Sequence, residues 1–298
     1  MNKTEQSELK TILKHYIDLE YYANSVDKDI TDLYEELNED CFQIIENQDS
    51  YNTKNAYNTV KTLLNERISD FGTRLNDKLE TEAENIKNVE LDFLSTMYKS
   101  YLTIGAVKLS RLLFTPIDGK DTAKTFAERT QKNIFRSYDN ATRAGYIFGQ
   151  SSDDIKSQIK KNLVQVKNGM NNGIKTAIPS FAKQTDRIVF LQNEIETVWV
   201  SVLDGNQCIV CSFLNGTHYK SPSLVPTYPA HNNCRCVLMP AKSVTTEIPK
   251  YQEYIESLTD KEQQHILGKN RYEMYKSGNV TLNQFINNGR LLRLDELK

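Results

Sequence analysis

The chain has 298 residues, of which 26% are charged, and a mean hydropathy of −0.57. No apolar run approaches the roughly 20 residues that a membrane-spanning helix needs, and the polar start lacks the apolar segment of a signal peptide. These features argue against a membrane partner and predict a reducing compartment, where cysteines bind metal ions more readily than they form disulfides. The net charge of −2 combines −10 for residues 1–100 with +8 for residues 101–298, which predicts different partners for the two parts.

Residues 1–116 are predicted to form a helical bundle or a long helical hairpin. The stretch has no proline before Pro116, and its apolar residues recur at the spacing of one helix face. Three such stripes run from Leu9 to Tyr21, from Ile30 to Ile44 and from Tyr57 to Met97. Polar stretches predict breaks near 25–29 and 48–53. Cys41 lies on the second stripe and is predicted to be a buried thiol.

Two helices predicted after this region carry basic residues on one face. The helix over 122–148 aligns four of them, and the helix that starts near Ser152 presents three more. They are Arg129, Lys132, Arg136, Arg143, Lys156, Lys160 and Lys161. Such faces bind phosphates without sequence preference, so packaged double-stranded DNA is the partner we expect for them. An ordinary solvated helix face is the alternative, which the sequence leaves open.

A further helix and a small sheet are predicted before residue 240. The basic helix is predicted to break at 168–173, and the next helix places Pro179 in its first turn, a position that tolerates proline. β-Branched residues predict a strand over 198–203. Its predicted partner is the strand 236–239.

Four of the five cysteines and one histidine form a split set of metal donors around these strands. Zn²⁺ takes four sulfur or nitrogen donors in a tetrahedron. We therefore expect one zinc ion per chain, held by Cys208, Cys211, His231 and either Cys234 or Cys236. The alternatives are disulfides, free thiols or a redox C-x-x-C pair. A redox pair normally opens a helix, whereas this one follows a predicted strand and turn.

The expected zinc is structural. A catalytic zinc keeps an open coordination position and has a carboxylate base nearby. The chain has no H-E-x-x-H motif and lacks the H-x-E and P-C-x-x-C parts of the zinc deaminases. Asp204 is the only acidic residue close to the donors. Because no other catalytic motif stands out, we predict that the chain is not an enzyme.

The cysteine segment resembles the signature of the phage head morphogenesis family, the minor head proteins similar to protein F of phage Mu. The matching positions are Trp199, Asp204, Cys208, Cys211, Gly216, Pro229, His231, Asn233, Cys234, Arg235 and Cys236. Leu203 departs from the pattern, since many members have threonine there. The resemblance is specific over about 170–240, weaker upstream to about 120 and absent before that.

The resemblance implies a structural protein of a tailed phage. Such a minor head protein acts in head morphogenesis, is present in few copies and contacts the portal protein, other capsid or scaffold proteins and packaged DNA. It would occupy the host cytoplasm during assembly and then the interior of the virion head, and ejection with the DNA would extend this role. The alternative is a zinc-dependent nuclease or toxin-like transferase acting on nucleic acid or nucleotides. An open zinc position with a carboxylate in reach would favour that alternative.

The predicted fold is mainly α. A long helical region over 1–116 precedes an α+β domain over 117–240, in which zinc clips a small β element within 198–240. A helical tail follows over 241–298. Its helices are predicted at 251–258, 260–275 and 281–286.

Overall fold

The structure, a computed structural model, is mainly α-helical, as predicted. It describes residues 3–48, 53–117, 119–203, 207–231, 233–244, 248, 250–287 and 290–297. The helices in these ranges are α1 (Lys3–Glu46), α2 (Lys54–Met97), α3 (Leu109–Leu113), α4 (Ala123–Phe148), α5 (Ser152–Gln192), α6 (Ile209–Leu214), α7 (Tyr251–Ser257), α8 (Asp260–Leu267) and α9 (Lys269–Lys276). None of the helices in the described ranges has the length and apolar character to cross a lipid bilayer.

Short antiparallel strands form two small sheets. They are β1 (Thr197–Val200), β2 (His218–Tyr219), β3 (Val237–Pro240), β4 (Ile286–Asn287) and β5 (Arg290–Leu291). β1 lies between β2 and β3, and Trp199 pairs with Leu238 across the β1–β3 ladder. The predicted pairing of the two segments that flank the cysteines is therefore confirmed. β1 is shorter than predicted because the backbone N–H of Ser201 donates to the side-chain oxygen of Asn215, at 2.8 Å, and not to a strand.

The chain divides into two compact units, each assembled from separate stretches. The helical unit consists of residues 16–88 and 108–181. The C-terminal unit consists of residues 1–15, 89–107 and 182–298. The predicted domains 1–116, 117–240 and 241–298 are instead consecutive segments of the chain. Their boundaries at 116 and 240 stay predictions.

Four helices pack around one core in the helical unit. The segments of α1 and α2 that belong to it meet through Tyr34 and Phe71, whose ring centroids lie 6.1 Å apart. α4 joins α1 where the Tyr138 hydroxyl donates a hydrogen bond of 2.8 Å to Asn38 Oδ1. Cys41 is fully buried in this core, as predicted, and burial raises the pKa of its thiol to about 12. The thiol is therefore protonated and unreactive at neutral pH.

Two predicted helix breaks are wrong, because burial overrides the local sequence signals. α1 runs without interruption through 25–29, where Val26 is buried. α5 likewise continues through 168–173 and carries Pro179 in its interior. Nearly every residue of α5 from 176 to 190 is buried. Packing on all sides of this segment outweighs the loss of one backbone hydrogen bond at the proline.

A pair of glycines in α5 gives a test of this packing. A Cβ at Gly173 would lie 2.1 Å from Cε2 of Phe126 on α4, whereas a Cβ at Gly169, one turn earlier, would meet nothing within 4 Å. Gly173→Ala is expected to lower the free energy of unfolding by about 1–3 kcal/mol through overpacking. Gly169→Ala is the matched control and is expected to raise it by about 0.5–1 kcal/mol. Urea unfolding followed by circular dichroism measures both, and equal effects would contradict the close contact at Gly173.

The tail after residue 240 is helical in its first part, as predicted, with one further break. The third helix, predicted at 281–286, is instead a short 3₁₀ helix (Leu282–Phe285) that leads into β4. Gly268 separates α8 from α9, which were predicted as one helix, and its φ of 75° is a conformation that favours glycine. Thr259 caps α8, since its hydroxyl accepts a hydrogen bond from the backbone N–H of Glu262. Apolar residues of the tail pack with Ile209 at the start of α6 into a small core. The tail therefore supports the helix that carries the C-x-x-C pair.

Candidate metal centre

The C-x-x-C pair lies at the start of α6. Cys208 is the N-cap residue, and its sulfur accepts a hydrogen bond of 3.3 Å from the backbone N–H of Cys211. A strand and a turn were predicted before this pair, in place of the helix that a redox pair normally opens. The pair does open a short helix, so its local structure does not exclude a redox pair. The groups that surround the two sulfurs therefore distinguish a redox pair from a metal site.

Three further donors converge on the sulfur of Cys211. His231 Nε2 lies 3.1 Å and Cys234 Sγ 3.9 Å from Cys211 Sγ. The donor atoms of Cys208, Cys211 and His231 lie within 4.8 Å of one another, and so do those of Cys211, Cys234 and Cys236. All the predicted donors therefore come together, and Cys211 belongs to both groups. None of these cysteines is in a disulfide, and a redox pair has no need of the other three donors.

The electrostatics of the cluster favour a bound cation. The sulfurs of Cys208, Cys234 and Cys236 raise the pKa of Cys211 far above its usual range. Contact with Cys211 lowers the pKa of the Cys208 thiol against the opposing effect of burial, and His231 lowers it further. Contacts with Cys211 and Cys236 also hold the pKa of Cys234 well below its usual range. The sulfurs thus compete for protons, and they can all be thiolates together only if a positive ion compensates their charge.

Ser201 links the sheet to the donors. Its hydroxyl donates a hydrogen bond of 2.6 Å to the backbone carbonyl of Cys211 and lies 3.3 Å from Cys236 Sγ. Trp199 Nε1–H donates to the same hydroxyl at 3.2 Å. Trp199 is fully buried and packs edge-on against Tyr228, with ring centroids 5.3 Å apart. Partners of this kind orient the residues that bind a metal, so β1 positions Cys211 through Ser201.

Sequence reasoning missed three side chains of α5 that hold the loop before β3. The ammonium group of Lys183 donates to the carbonyl of Cys234, and the side-chain amide of Gln184 donates to the carbonyl of Tyr228. The Arg187 guanidinium donates to the carbonyl of Val225, at 3.2 Å. A buried loop needs such donors for its backbone carbonyls. The detectable signal was the occurrence of these polar residues within an otherwise apolar helical segment.

The donor set fits a metal ion that prefers sulfur and nitrogen, which is the chemistry of zinc sites. No Asp or Glu of the described ranges joins either donor group. Asp204, the one acidic residue singled out from the sequence, lies outside the described residues. Four cysteines and one histidine are enough to fill a tetrahedral site without water. The arrangement can therefore join α6, β3 and the loop between them through one ion.

The seven basic residues predicted to contact DNA do not form one surface. Arg129, Arg136 and Lys161 line an open groove between α4 and α5 of about 660 Å³. Lys132 and Arg143 lie on α4 outside this groove. Two others face α1 instead: Lys156 pairs with Glu46 and Lys160 lies over the ring of Phe42, with its nitrogen 5.5 Å from the ring centroid. The structure thus brings three of the seven together, and the DNA contact itself stays a prediction.

Comparisons of the chain with models of known protein families, with curated protein sequences and with solved structures found no match.

Proposed function

We propose that this chain is a minor head protein of a tailed phage, a non-catalytic component that acts in head morphogenesis. Its partners would be the portal protein, neighbouring capsid or scaffold proteins and packaged double-stranded DNA. The proposal rests on the cysteine and histidine motif over 199–240. The observation that supports it best is that the five donors of this motif form two groups joined by Cys211, to which the buried Trp199 of the same motif is linked through Ser201.

The metal in this proposal is one structural Zn²⁺. Four donors fill its tetrahedron, namely Cys208, Cys211, His231 and Cys234. Cys236 is the spare donor, because its sulfur lies against the Ser201 hydroxyl. Cys234 is held in place through its carbonyl by Lys183 of α5. When bound, the ion would contribute folding energy to the segment and no chemistry.

The enzyme alternative requires a different site. A zinc-dependent nuclease or transferase needs an open coordination position and a carboxylate that can act as a base. The donor groups of the described residues contain only cysteine and histidine, and they offer more donors than one zinc takes up. A structural role is therefore the better account of this donor set.

A mass-spectrometric inventory of purified procapsids and virions, from a phage that encodes the chain, tests the proposal. We expect a few copies per particle, retained after washing with high salt. The Cys211→Ser variant should not be incorporated, because its metal-bound segment would be unfolded, whereas Cys236→Ser should be incorporated normally. A chain that accumulates in infected cells and is absent from both kinds of particle would contradict the assignment.

A further inference from the structure

The groove between α4 and α5 has the lining of an anion-binding site. Among the residues that the structure describes, its walls carry three cations and no acidic side chain. Between the cations lie neutral side chains that donate hydrogen bonds, including Asn133, Asn162 and Gln165. Arginine and lysine with amide donors are the groups that bind phosphate oxygens. The whole lining belongs to the helical unit, so the groove is independent of the metal centre.

Two of the three cations are available for a ligand. Arg129 forms an ion pair of 2.6 Å with Asp121 and lies over the ring of Phe126. Arg136 and Lys161 are exposed and make no ion pair with any carboxylate in the described ranges. An exposed cation in a groove without acidic neighbours keeps its full attraction for an anion. Arg136 and Lys161 stand on opposite walls, so a ligand between them meets positive charge from both helices.

The geometry favours a chain of phosphates over a stacked base. Arg129 and Arg136 are two helical turns apart, about 10 Å along α4, which suits contacts with separate phosphates. Proteins that bind single strands through their bases present exposed aromatic rings. Phe126 is the one aromatic residue in the described part of the lining, and it is almost completely buried. The groove can therefore contact a phosphate backbone but offers no surface for base stacking.

We propose that this groove binds phosphate groups through Arg136 and Lys161, supported by Arg129 and the neighbouring amides. These phosphate groups belong to the backbone of double-stranded DNA. A small phosphorylated molecule is the other source of the same chemistry. The groove would thus be the DNA contact of the proposed minor head protein. Only the identity of the phosphate-bearing molecule rests on that proposed function. The binding is independent of sequence and sensitive to salt.

Fluorescence anisotropy with a labelled duplex of mixed sequence, measured over a salt series, tests this inference. The Arg136→Gln/Lys161→Gln variant is expected to bind about tenfold more weakly at low salt, and its log–log salt slope should fall by about 2. Lys54→Gln/Lys124→Gln is the matched control, since it removes the same charge from exposed positions of the helical unit outside the groove, and its affinity should change less than about threefold. Equal melting temperatures establish that both variants are folded.

Inorganic tripolyphosphate and ATP, added as competitors, distinguish the two sources of phosphate groups. Duplex binding that is lost only in the groove variant supports the proposal with DNA as the source. Binding of tripolyphosphate or ATP to the wild type and control but not to the groove variant supports it with a small phosphorylated molecule as the source. Equal losses in the groove and control variants, or no binding of any probe, would overturn it. If the chain is absent from virions but its groove still binds phosphate, the proposed function is refuted and the groove proposal is retained.

Discussion

The Cys211→Ser variant is expected to lose the bound metal and to unfold the segment 197–240. Cys211 belongs to both donor groups and lies 3.1 Å from His231 Nε2, so no other thiol can take its place without rearrangement. Structural zinc contributes on the order of 10 kcal/mol in small peptide sites. A loss of that order exceeds the stability of a short sheet and a six-residue helix. We therefore expect complete local unfolding and not a mere weakening.

Trp199 makes this result easy to measure, because it is the only tryptophan of the chain. It is fully buried and bonds to Ser201, which in turn bonds to the Cys211 carbonyl. Its fluorescence should shift to the red as the segment unfolds. Elemental analysis of protein purified without added zinc should give about one equivalent for the wild type and none for the variant. Most of the helical circular dichroism signal should remain, since the helical unit has its own core.

The Cys236→Ser variant is the matched control. The Cys236 sulfur lies 3.3 Å from the Ser201 hydroxyl, and a serine at position 236 keeps a polar contact with that hydroxyl. We expect it to retain about one equivalent of zinc and the wild-type tryptophan emission. If Cys236→Ser loses the metal while Cys234→Ser keeps it, the fourth ligand is Cys236 and our assignment is wrong. A Cys211→Ser variant that keeps a full equivalent and a buried tryptophan would refute the metal centre as described.

The elements that could be predicted are those whose signal is local. The stripe from Tyr57 to Met97 indicated one long helix, and α2 covers it. The spacing of the cysteines indicated a donor cluster, and the sulfurs meet although their positions span 208–236. In both cases the residue types suffice, since helical periodicity and metal ligation each require particular side chains at particular intervals.

The elements that could not be predicted depend on contacts distant in sequence. Pro179 indicated a helix start, but the burial of α5 on all sides keeps the proline inside a longer helix. Lys183 carried no prediction from the sequence, yet it is buried and donates a hydrogen bond to the Cys234 carbonyl, some fifty residues away. The neighbouring residues cannot identify the contacts behind either outcome, because each depends on what packs against α5. The same holds for Arg136 and Lys161, whose common groove exists only once two helices are placed side by side.

A buried acidic site in the C-terminal unit shows the same dependence on distant contacts. Glu90 of α2 is completely buried, and its Oε2 lies 2.7 Å from Nε2 of His15 on α1. The His15 ring stacks on Phe93 at a centroid distance of 3.8 Å. Burial raises the pKa of Glu90 to about 7, and Asp186 of α5 opposes this shift through a side-chain hydrogen bond. No local pattern indicated this site, since Glu90 and His15 each lie within an acidic, helical stretch.

This raised pKa predicts that stability falls as the pH rises. An unfolded chain releases the Glu90 proton near pH 4.5, whereas the folded chain holds it up to about pH 7. Between these values the folded state binds one more proton, so the free energy of unfolding decreases with increasing pH and levels off above pH 7. Over this pH window the free energy of unfolding decreases by about 3 kcal/mol. The stabilising effect is fully present below pH 4.5 and is lost as the pH passes the folded pKa.

Glu90→Gln isolates this contribution, because an amide resembles the protonated carboxyl group and does not titrate. Relative to the wild type, the variant is expected to gain stability progressively from pH 4.5 to 7.5, by about 3 kcal/mol in total. Glu84→Gln, at a half-buried position of α2 paired with Lys87, is the control, and its stability should change with pH nearly in parallel to that of the wild type. Urea unfolding at a series of pH values measures the differences. The contrary outcome is a Glu90→Gln variant whose free energy of unfolding changes with pH in parallel to that of the wild type and is lower at neutral pH. In that case Glu90 is ionised at neutral pH and forms an ion pair with a protonated His15.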